Sequence, residues 1–173
     1  MTPLELTPLL APLYNSVTSK MRFNVSQLLQ EPVGGTRFYP MEETSDALAE
    51  GRPVSGAVTM LRTHRSVLVS GKLNTSVRLI CARCLEEFDQ PLQVEFEEEY
   101  FPTVDITSGA HLAEPEEEGG FTIDARQELD LDEALRQYGL LAIPMEPLCR
   151  PNCAGLCPRC GHNLNLGPCA CLE

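Results

Sequence analysis

Long hydrophobic runs are missing from this 173-residue sequence. No apolar stretch approaches the roughly 20 residues that a membrane-spanning helix needs, so we expect no membrane segment. Three prolines interrupt the first twenty residues, and no Lys or Arg precedes Lys20, so the basic start of a signal peptide is lacking. We therefore expect a soluble, cytoplasmic protein, in which cysteine side chains are normally reduced.

Histidine is scarce, and recognisable catalytic arrangements are absent from the sequence. His64, His111 and His162 are the three histidines, and no nucleophile–base pattern accompanies them. The Gly34–Gly35 pair lacks the flanking residues of a phosphate-binding loop. The carboxylates are numerous, but they lie in a charge-repelling stretch that would make a poor Mg²⁺ cage. We predict a protein without enzymatic activity and without a small-molecule substrate.

Basic residues are few: thirteen Lys and Arg stand against twenty-five Asp and Glu, for a net charge of -12. The imbalance is local, because residues 86–133 carry seventeen acidic side chains and a single basic one, Arg126. A segment with a net charge of -16 repels phosphate backbones and attracts basic partners. The simpler interpretation is an acidic, solvated surface that keeps the protein soluble.

Alternation of apolar and polar residues predicts an antiparallel sheet with one solvent-facing side. Three stretches show this alternation, namely residues 54–60, 66–81 and 92–99. In the last of them Glu95, Glu97 and Glu99 fall on the side opposite Leu92, Val94 and Phe96, and we expect these glutamates to point into water. We also predict a short strand at 36–39, a loop or marginal helix at 42–52, and a brief return to the sheet at 121–123.

One amphipathic helix follows the predicted strands. Asp130 is a plausible N-cap for a helix that starts near Leu131, and Pro144 and Pro147 end it. Its apolar positions are spaced by three or four residues: Leu131, Leu135, Tyr138 and Ala142. A helix with one apolar face packs on a sheet with one apolar face, so the sequence predicts an α+β fold.

Eight cysteines are the most specific feature of the sequence. The tail contains six of them: Cys149, Cys153, Cys157, Cys160, Cys169 and Cys171. A separate pair, Cys81 and Cys84, lies between two predicted strands. Reduced cysteines in closely spaced pairs supply the four soft ligands that zinc prefers, so we predict structural Zn²⁺ with one or two ions. Redox catalysis is disfavoured, since the βαβ context of redox C-x2-C motifs is not evident.

The spacing leaves the ligand set open. The local choice for one ion is Cys149, Cys153, Cys157 and Cys160. A ribbon-like alternative pairs Cys81 and Cys84 with Cys157 and Cys160. Eight ligands would also hold two ions, with Cys169 and Cys171 completing one of the two sites. In every case four thiolates leave no open position for substrate, so Lewis-acid chemistry is not expected.

Three parts of the chain follow from these patterns. Residues 1–19 are predicted to form a flexible N-terminal arm. Residues 20–148 are predicted to form the α+β core, with an exposed acidic loop at 102–120. Residues 149–173 are predicted to form a zinc-binding tail, which resembles a zinc knuckle around Cys157 and Gly161.

The ordered set of motifs resembles the YceD-like family, whose members are called large ribosomal RNA subunit accumulation proteins. The motifs are Cys81–Leu85, the acidic stretch after it, Leu129–Leu131, Ile143–Cys149 and Cys153–Asn165. The resemblance covers about residues 20 to 171. It implies a role in accumulation of 23S ribosomal RNA and thus in large-subunit assembly, with ribosomal RNA or a large-subunit ribosomal protein as partner. Some family members lack the C-terminal cysteines, which makes the tail metal an accessory of the family fold.

Two hypotheses connect these residues with the implied role. In the first, basic side chains contact RNA phosphates, and the candidates are Lys72, Arg78, Arg83 and Arg159. In the second, the acidic segment 86–133 holds a basic ribosomal protein or assembly factor without touching RNA.

Overall fold

Alternating apolar side chains build one seven-stranded sheet, on which a single longer helix packs. The computed structural model describes residues 21–48, 51–113 and 120–172. The strands are β1 (Arg22–Asn24), β2 (Thr36–Ser45), β3 (Arg52–Arg62), β4 (Val67–Ile80), β5 (Glu87–Pro102), β6 (Phe121–Ile123) and β7 (Glu128–Asp130). The helices are α1 (Ser26–Gln30) and α2 (Asp132–Ala142), and short 3-10 turns lie at Leu164–Leu166 and Ala170–Leu172.

The strands follow the order β1-β7-β6-β5-β4-β3-β2 across the sheet. All neighbours are antiparallel except β5 and β6, which run parallel from the Tyr100–Phe121 pair to the Pro102–Ile123 pair. The α+β layout is therefore as predicted, but the sheet is mixed rather than purely antiparallel. A parallel neighbour needs a connection of about a dozen residues or more, and residues 103–120 provide one.

The predicted alternation is confirmed in the two longest strands. β4 and β5 pair over fourteen residues, from Val67 opposite Tyr100 to Ile80 opposite Glu87. The inward residues of β3, β4 and β5 are buried, among them Val58, Val69, Leu73, Val94 and Phe96. Each such side chain stabilises the fold by about 1.5–3 kcal/mol through removal of apolar surface from water.

Helix α2 covers the inward face of the sheet. Leu131, Ala134 and Leu135 are buried, and the Tyr138 ring lies 5.7 Å from the Phe96 ring, so the predicted apolar face is confirmed. The N-cap position is Leu131, one residue later than predicted. The Asp130 carboxylate still contributes at this end, because it accepts a hydrogen bond of 2.9 Å from the backbone N–H of Asp132.

Strand β2 is longer than the sequence indicates. It pairs with β3 over ten residues, from Thr36 opposite Leu61 to Ser45 opposite Arg52. The prediction of a loop or marginal helix at 42–52 is therefore wrong for residues 42–45, which belong to β2, and for Arg52, the first residue of β3. The polar composition misleads there because β2 is an edge strand whose outward side chains, including Glu42, stand in solvent.

The sheet curls until its two edge strands approach each other. Phe23 of β1 and Tyr39 of β2 lie with ring centroids 5.0 Å apart, although the two strands are at opposite ends of the strand order. The predicted loop region begins after β5 and includes a bridge between Val104 and His111. Residues 114–119 and the predicted arm at 1–19 lie outside the described residues. Within the described ranges, every helix is too short or too polar to cross a bilayer.

Candidate metal centres

Two cysteine turns follow the same backbone course. In the first, the Cys81 N–H donates to the Glu86 carbonyl at 2.9 Å, and the Leu85 N–H donates to the Cys81 carbonyl at 3.0 Å. In the second, Cys157 donates to His162 at 2.8 Å, and Gly161 donates to Cys157 at 2.9 Å. We name these segments the first turn (residues 81–86) and the second turn (residues 157–162). Such tight turns aim backbone N–H groups at the first sulfur and favour its thiolate.

The first turn meets the start of the tail in a group of four sulfurs, which we call the first centre. Its members are Cys81, Cys84, Cys149 and Cys153, with all Sγ atoms within 4.8 Å of one another. The Cys81–Cys153 sulfur distance is 3.8 Å, and the Cys84–Cys149 distance is 3.7 Å. Four sulfurs at 2.3 Å from a tetrahedral Zn²⁺ are about 3.8 Å apart, so the donor set fits this ion.

Backbone and side-chain donors prepare the first centre for a cation. The backbone N–H of Cys149, together with those of Cys84 and Arg83, lowers the pKa of Cys81 to about 6. The Asn165 side-chain amide is the main cause that lowers the pKa of Cys153. Burial raises the pKa of Cys149 to about 12, because that thiolate has no comparable set of donors. A bound cation would supply the missing positive charge and deprotonate the remaining thiols.

Contacts around the first centre attach the tail to the β4–β5 connection. The Asn165 Nδ2 donates to the Cys153 sulfur at 3.3 Å, and the Asn165 Oδ1 accepts from the Ala154 N–H at 2.8 Å. The Arg83 Nη1 donates to the Cys153 carbonyl at 3.2 Å. Sequence reasoning did not assign a role to Asn165, because a supporting residue has no spacing signature of its own. The sequence feature that could have pointed to Asn165 is its position within the cysteine-rich tail, two residues after Asn163.

The second turn completes a separate group within the tail, which we call the second centre. Its members are Cys157, Cys160, Cys169 and Cys171, again with all sulfurs within 4.8 Å of one another. Backbone N–H groups of Cys160 and Arg159 lower the pKa of Cys157 to about 7. The neighbouring Cys160 thiol is the main cause that raises the pKa of Cys171 to about 11. Cys160 is exposed, whereas three of the four cysteines in the first centre are buried.

The structure distributes the predicted ligands over two centres. Cys157 and Cys160 belong to the second centre, apart from Cys149 and Cys153 and apart from Cys81 and Cys84, so neither the local quartet nor the ribbon-like set comes together. The eight-ligand alternative fits the geometry, with each turn contributing one pair to its own centre. His162 is exposed and belongs to neither group. Which cysteines ligate an ion stays a prediction, to which the geometry adds a specific pairing.

Two of the four basic residues predicted to contact RNA are paired with carboxylates. On the outward side of β4, Lys72 lies 3.5 Å from Glu95, and Arg78 lies 3.7 Å from Asp89. These two basic side chains are six residues apart, which is about 20 Å along a strand. Arg83 and Arg159 belong to the first and second turns and are exposed.

An acidic row lines the outward side of β5. Glu95, Glu97 and Glu99 are exposed, as predicted, and alternate with inward residues that are buried (Phe96) or half-buried (Glu98). The Ser70 hydroxyl donates to Glu97 at 3.0 Å, and the Ser66 hydroxyl donates to Glu99 at 3.2 Å. In the part of the chain that the structure describes, no basic side chain forms an ion pair with Glu97 or Glu99. We call Glu95, Glu97 and Glu99 the acidic row.

Comparison with known proteins identifies relatives in bacteria and plants. An uncharacterized protein of Mycobacterium tuberculosis is 34% identical over 103 residues, covering 59% of this chain and 47% of the relative. The Zea mays protein named Large ribosomal RNA subunit accumulation protein YCED homolog 1, chloroplastic, is 32% identical over 143 residues, covering 69% of this chain and 48% of the relative. An Arabidopsis thaliana protein of the same name is 27% identical over 143 residues, with coverage of 70% and 44%. No solved structure matches.

A family match covers the larger part of the chain. Residues 69–173 match the family described as Large ribosomal RNA subunit accumulation protein YceD, and this range contains all eight cysteines. The chain spans about half the length of the curated relatives it matches. The resemblance predicted from the ordered motifs is confirmed, and the protein belongs to the YceD family of large ribosomal RNA subunit accumulation proteins.

Proposed function

We propose that this protein supports the accumulation of large-subunit ribosomal RNA as a non-enzymatic assembly factor that binds a basic ribosomal protein. The family description and the names of the plant relatives support the link with ribosomal RNA. The sequence predicts a cytoplasmic protein, so we expect it to meet its partner in the cytoplasm. The plant relatives are named as chloroplastic proteins.

One observation favours a protein partner on the outward face of the sheet. The basic side chains on that side of β4 face carboxylates of β5: Lys72 faces Glu95, and Arg78 faces Asp89 and Glu87. The acidic row leaves Glu97 and Glu99 with hydroxyl donors only. A face with surplus negative charge repels phosphate and attracts a basic surface. RNA would then be affected through the protein that covers it.

The metal centres have a structural role in this proposal. We assign one Zn²⁺ to each centre, with four thiolates and no open coordination position for water or substrate. Zinc in the first centre would tie the tail to the β4–β5 connection, and zinc in the second centre would order a part of the tail that has few buried apolar side chains. Each loaded centre adds a net charge of about -2 relative to neutral thiols, which makes an acidic protein more acidic.

A charge-reversal experiment tests the proposal. Ribosomal proteins extracted from purified large subunits and freed of RNA by nuclease are offered to the zinc-loaded protein at increasing salt. We expect capture of a basic ribosomal protein that weakens with salt and that is lost with Glu97→Lys and Glu99→Lys. The control replaces Glu42 and Glu43, two exposed glutamates of β2, by Lys and should retain capture. Retained capture by the Glu97→Lys/Glu99→Lys protein would exclude the acidic row as the binding surface.

Direct RNA contact is a second candidate, supported by the arginines around the metal centres. Arg83, Arg150 and Arg159 are exposed, and none forms an ion pair with a carboxylate among the described residues. Against this, two loaded centres place about four negative charges nearby. Replacing Arg83 and Arg159 by Ala should lower affinity for all ribosomal RNA fragments alike and reduce the salt dependence by about one ion per arginine if they contact phosphates. Unchanged affinity would exclude these two residues from RNA binding.

A further inference from the structure

Leu85 has a backbone conformation that a leucine adopts at a cost. Its φ is +60°, in the left-handed region that β-carbon-bearing residues avoid. Gly161, at the same position of the second turn, has a φ of +73° and no side chain to strain. Glycine would therefore satisfy the first turn equally well. The turn conformation therefore does not explain why residue 85 is a leucine.

Packing in the protein interior does not explain the leucine either. The Leu85 side chain is 63% exposed. The apolar side chains packed against the first centre are Phe88, Leu148 and Leu156, and within the described residues Leu85 is not one of them. A second apolar side chain, Ile80, is 57% exposed at the end of β4, just before the same turn. Two large apolar side chains thus stand in water on either side of the first cysteine pair.

Two carboxylates lie next to these apolar side chains along the chain or across the strands, and one of them, Glu87, also lies 3.9 Å from Arg78. Glu86 follows Leu85 directly, and its carbonyl closes the first turn on the Cys81 N–H. Glu87 is the cross-strand neighbour of Ile80 on β5. Both glutamates are exposed. We name Ile80, Leu85, Glu86 and Glu87 the turn patch, which is an apolar pair with an acidic rim.

We propose that the turn patch is a docking site for a basic segment of a partner protein, with Leu85 as the apolar anchor. This inference rests on the proposed function, because it places one contact of the basic partner at the first turn. An apolar side chain that is exposed in the free protein contributes to binding when a partner buries it, and complementary charge around it adds specificity and a faster encounter. The glutamates would pair with Lys or Arg side chains on either side of an apolar residue of the partner. The carboxylates of Glu86 and Glu87 repel phosphate and attract Lys and Arg side chains, which favours a protein partner over RNA although Arg83 of the same turn is exposed.

The backbone strain at Leu85 allows a test to distinguish a binding role of this side chain from a structural role. Leu85→Gly removes the anchor and relieves the strain in the same step, so binding and stability should change in opposite directions. A merely structural leucine would lose stability, zinc or both when replaced. The matched control is Leu141→Ala, since Leu141 is a leucine on α2 that is 80% exposed.

The experiment measures three quantities on the zinc-loaded, full-length protein. The probe is the RNA-free mixture of ribosomal proteins from large subunits. We expect Leu85→Gly to weaken capture of the basic ribosomal protein about tenfold or more, while zinc content stays the same and the unfolding midpoint is equal or higher. Leu141→Ala should change none of the three quantities. A photo-crosslinking amino acid at position 85 should label the captured protein, whereas the same group at position 141 should not.

Each contrary outcome has a separate meaning. If the wild-type protein captures a ribosomal protein and Leu85→Gly captures it equally well, the docking site is wrong and the proposed function stands. If Leu85→Gly loses zinc or unfolds more easily, Leu85 is structural and the inference is overturned. If position 85 labels ribosomal RNA in place of protein when intact subunit precursors are offered, the patch binds RNA. If the wild-type protein captures no ribosomal protein at all, the proposed function and the docking site both fail.

Discussion

Leu85 and Gly161 occupy the same position in two turns that share one backbone course. Each donates its N–H to the carbonyl of the first cysteine, Leu85 to Cys81 at 3.0 Å and Gly161 to Cys157 at 2.9 Å. The φ angles are +60° and +73°. Both turns therefore require a positive φ at this position, although one has a leucine there and the other a glycine. Exchanging the two residue types measures the free-energy cost of a leucine side chain at positive φ.

That exchange is the first prediction. Leu85→Gly should raise the free energy of unfolding by about 1 kcal/mol, and Gly161→Leu should lower it by about 1–2 kcal/mol, because a side chain at positive φ is strained. No atom lies within 4 Å of a β-carbon built on Gly161, so a steric clash does not add to the second value. Urea unfolding of the zinc-loaded variants measures both changes. Equal stability of all three proteins would contradict the strain argument.

Metal analysis tests the two centres. We expect two Zn²⁺ per chain, and we expect Cys81→Ser and Cys157→Ser each to retain one of them, because each variant breaks a different set of four ligands. The second centre should release its ion first to a chelator, since Cys160 is exposed while Cys81, Cys84 and Cys153 are buried. Complete zinc in the Cys81→Ser protein would assign all metal to the tail.

Asn165 should matter for the first centre although it is not a cysteine. Its amide donates to the Cys153 sulfur at 3.3 Å, and loss of such a supporting hydrogen bond lowers metal affinity about 10–100-fold. Asn165→Ala should show this loss in a competition titration with a zinc chelator, and the ion of the second centre should be unaffected. Asn74→Ala replaces an exposed asparagine on β4 and serves as the control. Equal affinity in both variants would exclude a supporting role.

Gly71 provides room for the aromatic contact between sheet and helix. Gly71 lies opposite Phe96 on β5, and a β-carbon at position 71 would stand 2.3 Å from the Phe96 Cε1. Gly71→Ala should therefore displace the ring that contacts Tyr138 and destabilise the fold by about 1–3 kcal/mol.

Thermal or urea unfolding measures the Gly71→Ala change. Ser70→Ala, on the other side of β4, is the control and should cost about 0.5 kcal/mol or less. A Gly71→Ala protein as stable as the control would show that the Phe96 ring relocates without cost.

Glu133 makes the stability of the fold depend slightly on pH in the acid range. Hydrogen bonds from Arg136 and Gln137 lower the pKa of Glu133 to about 2, from an ordinary value of 4.5. A depressed carboxylate pKa stabilises the folded state above about pH 4.5, and this contribution is lost as pH falls toward 2. The pair is exposed, so the contribution is about 0.5 kcal/mol.

Glu133→Gln removes the charge but keeps the shape of the side chain. Its free energy of unfolding should fall less steeply with acid than that of the wild-type protein in this pH window. Parallel pH profiles for the two proteins would show that Glu133 carries no such contribution.

Much of the local structure could be predicted from residue patterns. Period-two alternation located β3, β4 and β5, and helical spacing located α2 with an error of one residue at its start. These features depend on which face of an element is apolar, and that information is contained in a few consecutive residues. The edge strand β2 was underestimated because half of its side chains face water and the strand has only one neighbour to define it.

The sequence by itself determined that Cys81 with Cys84 and Cys157 with Cys160 would form pairs on tight turns, since turn chemistry and pair spacing are local properties. Only the tertiary structure decided which pairs meet, because Cys81 and Cys153 are separated by 72 positions and their contact depends on where the tail crosses the end of the sheet. The same holds for Lys72 and Arg78, whose charges look available in the sequence. The register of β4 against β5 places carboxylates opposite both, and register is a property of two paired strands that neither strand encodes alone.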